Sequence, residues 1–305
     1  MKNTKPKVRL WSVLTGLTAI LTVAAIVGNI IANQYATTIN VALNASTYKI
    51  IHGENTGDTE YFKKGFASDE EREAYEAELC AQVEAEGAAL LKNENNALPL
   101  ASGAKVSLFG HGSVDLMYGG TGSGSVDTSK APNLKQALEA QGITINQTLW
   151  DLYSSDSMMS KYSRMTPASI SDTLEANTQY AVNEAPWSAL SSAESSFAEY
   201  GDAAIVVLSR SGGEGADLPS GENGTSDSWI SGQEGDGNYL ALSAEEIELL
   251  QNLKALKDNG TFKNIIVLIN SSNAIELDFL NPEICGEDYG IDAAMWIGDV
   301  GQTGI

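Results

Sequence analysis

Short apolar runs alternate with helical repeats over most of the chain. The runs that are apolar on both faces lie at residues 106–110, 143–145, 203–208, 265–269 and 293–297. Helical stretches are predicted between them, at 134–140, 188–200 and 244–257. Strands that are buried on both faces and separated by helices are typical of a parallel sheet covered on both sides. The pattern therefore predicts an α/β fold, with a mostly parallel sheet and helices on both faces, an α/β sandwich.

The folded domain is predicted to begin with a helix at residue 68, after a polar connector at 34–67. Ser68 can cap this helix, and acids occupy its first turn, where the helix dipole favours negative charge. Its apolar positions recur at helical spacing and are predicted to continue through Leu90 and Leu91. The domain is expected to run from residue 68 to residue 305.

The N-terminus has the pattern of a membrane anchor. Residues 1–9 carry four basic side chains, and residues 10–31 carry no charge. A helix over 10–31 is about 33 Å long, which matches a bilayer core of about 30 Å. We predict a cytoplasmic tail at 1–9, a transmembrane helix at 10–33 and, by the positive-inside rule, an extracytoplasmic main domain at the cell membrane. The alternative is a cleaved signal peptide.

The charge balance excludes one class of partner. The chain has 305 residues, and its 18 basic and 40 acidic residues give a formal net charge of -22. Nucleic-acid affinity comes largely from Lys and Arg on phosphates, so no nucleic-acid partner is expected. Cys80 and Cys285 are expected to be buried thiols, with one disulfide as the alternative. His52 and His111 lie far apart in sequence, and nothing implies a metal or a cofactor.

Two glycine-rich segments follow predicted strands, at 110–128 and 220–239. A phosphate-binding loop is disfavoured there, because no GxxxxGK[ST] motif occurs and residues 110–128 contain no Lys or Arg. Trp229 and Tyr239 could stack on a sugar ring or anchor their loop. Glu214, within "SRSGGEGADLP" (209–219), lies just past the carboxyl end of a strand, where parallel sheets bind ligands.

Seven segments together resemble the α/β-sandwich domain of glycoside hydrolase family 3, which includes β-glucosidases and β-xylosidases. They are "EGAALLKNENNALPL" (86–100), "KVSLFG" (105–110), "YGGTGSGSV" (118–126), "RSGGEGADLP" (210–219), "YLALSAEEIELLQNLKA" (239–255), "IVLINSSNAIEL" (266–277) and "AAMWIGDVGQTG" (293–304). The resemblance covers residues 68–305 in order.

The resemblance implies a retaining, exo-acting β-glycosidase whose active site is shared by two domains. Glu214 matches the acid/base glutamate, and the family's usual Ser-Gly-Glu-Gly has Gly212 in place of its serine. The resemblance also implies that Tyr118, Gly119, Gly120, Thr121, Gly122 and Ser123 border the sugar subsite, together with Asp217. The substrate would be an oligosaccharide or an aryl β-glycoside.

The nucleophile is implied to lie on a (β/α)8 barrel of about 250 residues, for which 305 residues leave no room beside the sandwich. The chain therefore resembles permuted family members whose barrel follows. It is expected to be the N-terminal part of a longer enzyme, or an incomplete gene model, with the sandwich incomplete at its C-terminus, and to be inactive alone. The final strand, 293–297, is expected to be an uncovered sheet edge. The alternative function is a non-catalytic cell-surface carbohydrate-binding module with the same fold.

Overall fold

The structure, a computed structural model, describes residues 5–43, 45, 65–120, 122–164, 181–213 and 239–302. The chain divides into two compact units, Met1–Gly65 and Phe66–Ile305. The described part of the first unit contains two helices, α1 (Lys5–Gln34) and α2 (Ala36–Ala42). Residues Val8–Gln34 of α1 are long and apolar enough to cross a membrane, and a signal sequence near the N-terminus would have the same character. The membrane topology therefore stays a prediction.

The second unit alternates strands and helices as predicted. Its strands are β1 (Ala89–Asn93), β2 (Lys105–Phe109), β3 (Thr144–Ile145), β4 (Ala203–Arg210), β5 (Ile265–Ser271) and β6 (Ala293–Trp296). Its helices are α3 (Asp69–Gly87), α4 (Leu134–Ala140), α5 (Gln147–Tyr153), α6 (Asp156–Tyr162), α7 (Ala244–Asp258) and α8 (Pro282–Cys285).

The described strands form one six-stranded sheet in the order β1-β6-β5-β4-β2-β3. Every pairing from β3 to β6 is parallel, and β1 pairs with β6 antiparallel, with Ala89 opposite Trp296. The mostly parallel sheet is therefore confirmed. The prediction that the final strand is an uncovered edge is wrong, because β6 lies between β5 and β1.

The first helix of this unit is shorter than its apolar repeat suggested. Ser68 caps α3 as predicted, since its Oγ accepts the backbone N–H of Glu71 at 3.2 Å. The helix ends at Gly87, and Leu90 and Leu91 lie in β1, so their assignment to the helix is wrong. Ala88, with φ -62° and ψ 135°, turns the backbone into the extended conformation at this point.

Both faces of the central strands are buried, as the doubly apolar runs predicted, whereas the edge strand β1 is mostly exposed. Along β4, Val206 and Leu208 face one core cluster, which includes Leu249 and Leu253 of α7. Ile205 and Val207 face a second cluster on the opposite side, which α4 joins through Leu134. Successive side chains of a strand point to opposite faces, so β4 is buried along its whole length.

Some elements differ from the predictions. The helix predicted at 188–200 is two short 3₁₀ segments, Trp187–Leu190 and Glu194–Tyr200. Helices α5 and α6 were not predicted; Asn146 and Ser155 cap them. Cys80 is exposed and Cys285 is half-buried, so the prediction that both thiols are buried is wrong. Both thiols are free, so the alternative disulfide is not formed either.

Candidate active site

The carboxyl ends of the central parallel strands meet at one edge of the sheet. Strands β2, β4, β5 and β6 run in the same direction, so the segments that follow them lie side by side. These segments begin at Gly110, Ser211, Ser272 and Ile297. The first two lead to the residues that the sequence singled out.

The segment after β2 passes very close to β4. A Cβ on Gly110 would lie 2.7 Å from the carbonyl oxygen of Val207, which is too close for a side chain. The φ of Gly110 is +81°, a backbone conformation that residues with a Cβ rarely adopt. A Cβ on Gly120 would lie 3.2 Å from the carbonyl oxygen of Gly212 and 3.7 Å from Cα of Gly213. The tip of this segment therefore packs on the peptide that leads into Glu214.

Asn270, near the end of β5, holds the same segment in place. Its Oδ1 accepts the N–H of Met117 at 2.6 Å and the hydroxyl of Ser209 at 2.9 Å. Its Nδ2 donates to the carbonyl oxygens of Met117 at 3.0 Å and Gly298 at 2.7 Å. One buried amide thus ties together the segments after β2 and β6, and so sets the position of Tyr118.

The predicted sugar-subsite residues fall into two groups. Tyr118 is half-buried, donates its hydroxyl to the carbonyl oxygen of Pro132 at 2.9 Å, and has a pKa that burial and then the charge of Asp115 raise. Gly119 and Gly120 are also half-buried at the sheet edge, whereas Gly122 and Ser123 are exposed in a short 3₁₀ segment, Gly122–Gly124. Thr121 lies outside the described residues.

The predicted acid/base residue lies just beyond the described part of the chain. The description stops at Gly213 and resumes at Tyr239, so Glu214, Asp217 and Trp229 lie outside it. Asp127, another acid of the glycine-rich segments, is fully exposed. A hydrogen bond from the backbone N–H of Ser129 lowers the pKa of Asp127, and this favours the ionised form over a proton donor.

Tyr239 anchors its loop and is not available to stack on a sugar. It is 1% exposed, and its hydroxyl hydrogen-bonds the backbone of Ser211. Its carbonyl oxygen accepts Nε of Arg210, the last residue of β4, at 2.8 Å. Of the two alternatives that the sequence left open for Tyr239, loop anchoring is therefore confirmed.

A buried carboxyl lies behind the segment that follows β2. Glu184 accepts the N–H of His111 at 2.7 Å and that of Ala185 at 2.9 Å. Burial raises the pKa of Glu184 to about 8, although both hydrogen bonds act to lower it. Burial and then the charge of Arg164 lower the pKa of His111 to about 3, and its Nε2 accepts the N–H of Arg164 at 2.9 Å. His111 is thus a neutral loop residue.

Sequence reasoning missed the polar residues at the ends of the buried strands. Each of these residues lies one or two positions after an apolar run, and that placement could have identified them from the sequence; they are Arg210, Asn270 and Asp299. Burial raises the pKa of the Asp299 carboxyl, while hydrogen bonds from Ser272 oppose the change. In the part of the chain that the structure describes, no group of three or more His, Cys, Asp or Glu side chains could hold a metal ion.

The family model that matches this domain is the glycosyl hydrolase family 3 C-terminal domain, over residues 88–304. The chain belongs to glycosyl hydrolase family 3. The resemblance of the seven segments is thereby confirmed, and so is the α/β sandwich that it implied. In this family domain, β4 and its following glycines carry the segment that contains Glu214.

Known relatives are β-glucosidases much longer than this chain. Beta-glucosidase A of Butyrivibrio fibrisolvens is 34% identical over 146 residues, which are 46% of this chain and 15% of that protein. A β-glucosidase structure from Paenibacillus barengoltzii is 25% identical with a TM-score of 0.51, covering 74% of this chain and 21% of that one. β-Glucosidase 3B of Thermotoga neapolitana, in complex with α-D-glucose, is 23% identical with a TM-score of 0.54, covering 78% and 29%. This last likeness shows the fold alone.

Proposed function

We propose that this chain is part of a retaining, exo-acting β-glycosidase that hydrolyses the O-glycosyl bonds of β-linked glucosides or xylosides. The observation that carries the proposal is the match of residues 88–304 to the family 3 C-terminal domain. The 34% identity to beta-glucosidase A supports the same activity. The substrate would be an oligosaccharide or an aryl β-glycoside.

In this proposal Glu214 is the acid/base residue. It follows Gly212 and Gly213, beyond the carboxyl end of β4, and the tip of the Tyr118–Gly120 segment packs on that peptide. A retaining glycosidase needs a second carboxylate about 5 to 5.5 Å from the first, to attack the anomeric carbon. We assign that nucleophile to a (β/α)8 barrel of the complete protein, so this chain alone hydrolyses no glycoside.

The sugar subsite is proposed to be bordered by Tyr118, Gly119, Gly120, Thr121, Gly122 and Ser123, and by Asp217, which follows Glu214 by three residues in the sequence. Glycines at the tip let the backbone of one segment approach a ligand closely. The position of Tyr118 supports this role, because Asn270 binds the backbone of the preceding residue, Met117, and the N–H of Gly301 donates to the Tyr118 carbonyl oxygen at 2.8 Å.

The test is Glu214→Ala in the complete protein, this chain together with its barrel. A sugar leaving group needs a proton as the bond breaks and a dinitrophenolate does not, and general acid help is worth roughly 10² to 10⁴ in rate. We expect loss of activity on disaccharides, with the glycosyl-enzyme still formed from dinitrophenyl glycosides. The intermediate should accumulate, because the same residue deprotonates the attacking water. Azide, which needs no base, should restore turnover and yield a β-glycosyl azide.

Asp127→Ala is the matched control, because it removes an exposed acid from the neighbouring glycine-rich segment. It should change neither substrate's rate by more than about twofold. Equal losses on both substrates in Glu214→Ala, without an effect of azide, would mean that Glu214 is not the acid/base residue. Sugar binding by a complete protein that has no hydrolytic activity would favour the non-catalytic carbohydrate-binding module.

A further inference from the structure

Strand β4 ends in a fully buried ion pair. Arg210 is 0% exposed, and its Nη1 and Nη2 each lie 2.7 Å from an oxygen of Glu246, which is 2% exposed on α7. Burial acts to lower the pKa of Arg210, and the charge and hydrogen bonds of Glu246 outweigh it. Glu246 also accepts the N–H of Ser243 at 2.8 Å, so the first turn of α7 is part of the same cluster.

The remaining donors of Arg210 bind backbone carbonyl oxygens of residues that precede and follow the segment 214–238. They reach Ser209 at 3.0 Å on the strand side, and Tyr239 at 2.8 Å and Ala241 at 2.7 Å on the helix side. All five N–H groups of a guanidinium can be used in this way, and its planar fork makes the arrangement specific. Arg210 therefore joins the chain before Glu214 to the chain after it.

Tyr239 adds a second connection, closer to Glu214. Its hydroxyl accepts the N–H of Ser211 at 2.7 Å and donates to the carbonyl oxygen of the same residue at 3.0 Å. Its ring lies over the Arg210 guanidinium, with Cζ 5.8 Å from the ring centroid. Both polar groups of the Ser211 backbone are thus bound by one side chain, three residues before Glu214.

We propose that Tyr239 is a positioning residue for Glu214, which it aligns by holding the backbone of Ser211. The inference rests on the acid/base role proposed for Glu214. A displacement of about 1 Å in a reacting group can cost on the order of 100-fold in rate, so a small shift of the chain at Ser211 is expected to slow the proton transfer that Glu214 performs. Arg210 and Glu246 support Tyr239, but removing either one would leave a buried unpaired charge, so they are poor probes.

Tyr239→Phe in the complete enzyme tests the inference, because phenylalanine keeps the ring on Arg210 and removes only the hydroxyl. We expect kcat/KM for disaccharides to fall about tenfold or more, and kcat/KM for dinitrophenyl glycosides to change less than about twofold. In the Glu214→Ala background, the same substitution should cause no further loss on disaccharides. That non-additivity is what a residue acting through Glu214 requires.

Tyr153→Phe is the matched control. Tyr153 is also fully buried, and its hydroxyl accepts the N–H of Gly110 at 3.2 Å, in the segment after β2 and not in the chain that leads into Glu214. Loss of the Tyr153 hydroxyl should lower the thermal midpoint of unfolding about as much as Tyr239→Phe does. Any change in kcat/KM should be the same for disaccharides and for dinitrophenyl glycosides.

Three results would overturn the inference. The first is an equal effect of Tyr239→Phe on both substrates, the second is no effect on either, and the third is a further loss in the Glu214→Ala background. If Glu214→Ala keeps its own leaving-group dependence in these experiments, only the role of Tyr239 fails. If Glu214→Ala shows no such dependence, the proposed function fails with it.

Discussion

The side chain of Asn273 occupies the space that a residue larger than glycine would need at position 212. A Cβ on Gly212 would contact Asn273 Nδ2, and would lie 2.9 Å from its Oδ1 and 3.0 Å from its Cγ. In the described part of the chain, Asn273 Nδ2 is buried and has no hydrogen-bond partner. A residue larger than glycine at position 212, such as serine, would therefore require the Asn273 side chain to move.

Gly212→Ser should destabilise the protein for this reason. Overpacking of a filled site typically costs about 1 to 3 kcal/mol, and the added Cβ and hydroxyl must displace the Asn273 amide. Asn273→Ala should cost under about 1 kcal/mol, since the amide nitrogen forms no hydrogen bond that would be lost. Gly212→Ser in the Asn273→Ala background should then be nearly neutral. Urea unfolding of the four proteins measures the coupling, and equal costs of Gly212→Ser in both backgrounds would refute it.

Glu184 should make the stability of the protein decrease as the pH rises. Its pKa is raised from 4.5 to about 8 on folding, so the folded state binds the proton more tightly. The contribution of Glu184 to the free energy of unfolding therefore falls between about pH 4.5 and pH 8, by an amount on the order of a few kcal/mol. His111 acts in the opposite direction, because its pKa falls from 6.5 to about 3 on folding and its contribution to stability rises across that interval. The two contributions oppose each other between about pH 4.5 and pH 6.5, so the net fall in stability is expected above pH 6.5.

Glu184→Gln isolates the contribution of the carboxyl. Both of its oxygens accept backbone N–H groups, and an amide can offer only one acceptor, so the variant should be less stable at pH 5. The difference from the unmodified protein should narrow as the pH approaches 8, because glutamine cannot ionise. Urea unfolding at pH 5, 6.5 and 8 measures this, and a difference that stays constant with pH would disprove the titration of Glu184.

The topology prediction follows from the basic tail and the uncharged span of α1. We expect the chain to stay membrane-bound, with residues beyond about position 40 digested when protease is added to intact cells. Protection of those residues would contradict the orientation. Recovery of a protein that lacks its N-terminus from the medium would establish the cleaved signal peptide in its place.

The central strands could be predicted because each is apolar on both faces, and such runs have few other structures open to them. Strand β1 could not, because Leu90 and Leu91 continue the apolar spacing of α3 and are themselves only partly covered. The hydrogen bonds that make residues 89–93 a strand come from β6, and the side-chain spacing within residues 89–93 carries no information about that distant partner. The helices α5 and α6 were missed although each has seven residues, as the predicted α4 does.

The sequence predicted the parts of the candidate site that lie within short, recognisable motifs. Glu214 and the Tyr118–Gly120 segment were found from their glycines and from family resemblance. The cluster of Arg210, Tyr239 and Glu246 was not, because its members meet only after β4 and α7 pack together. One indication of this cluster was present in the sequence: Arg210 follows the buried run 203–208, and a buried charge needs a partner of opposite charge.

The pairing of the first strand with the last has a consequence for synthesis on the ribosome. Ala89 leaves the exit tunnel long before Trp296, its partner in the sheet. Until then β1 has no neighbour on its hydrogen-bonding side, while β2, β3 and β4 can already assemble. Pairings that are distant in sequence form late and slowly. The nascent domain therefore exposes β1 and the apolar residues beside it until its C-terminal strand is made, and this interval is when chaperone binding would protect it most.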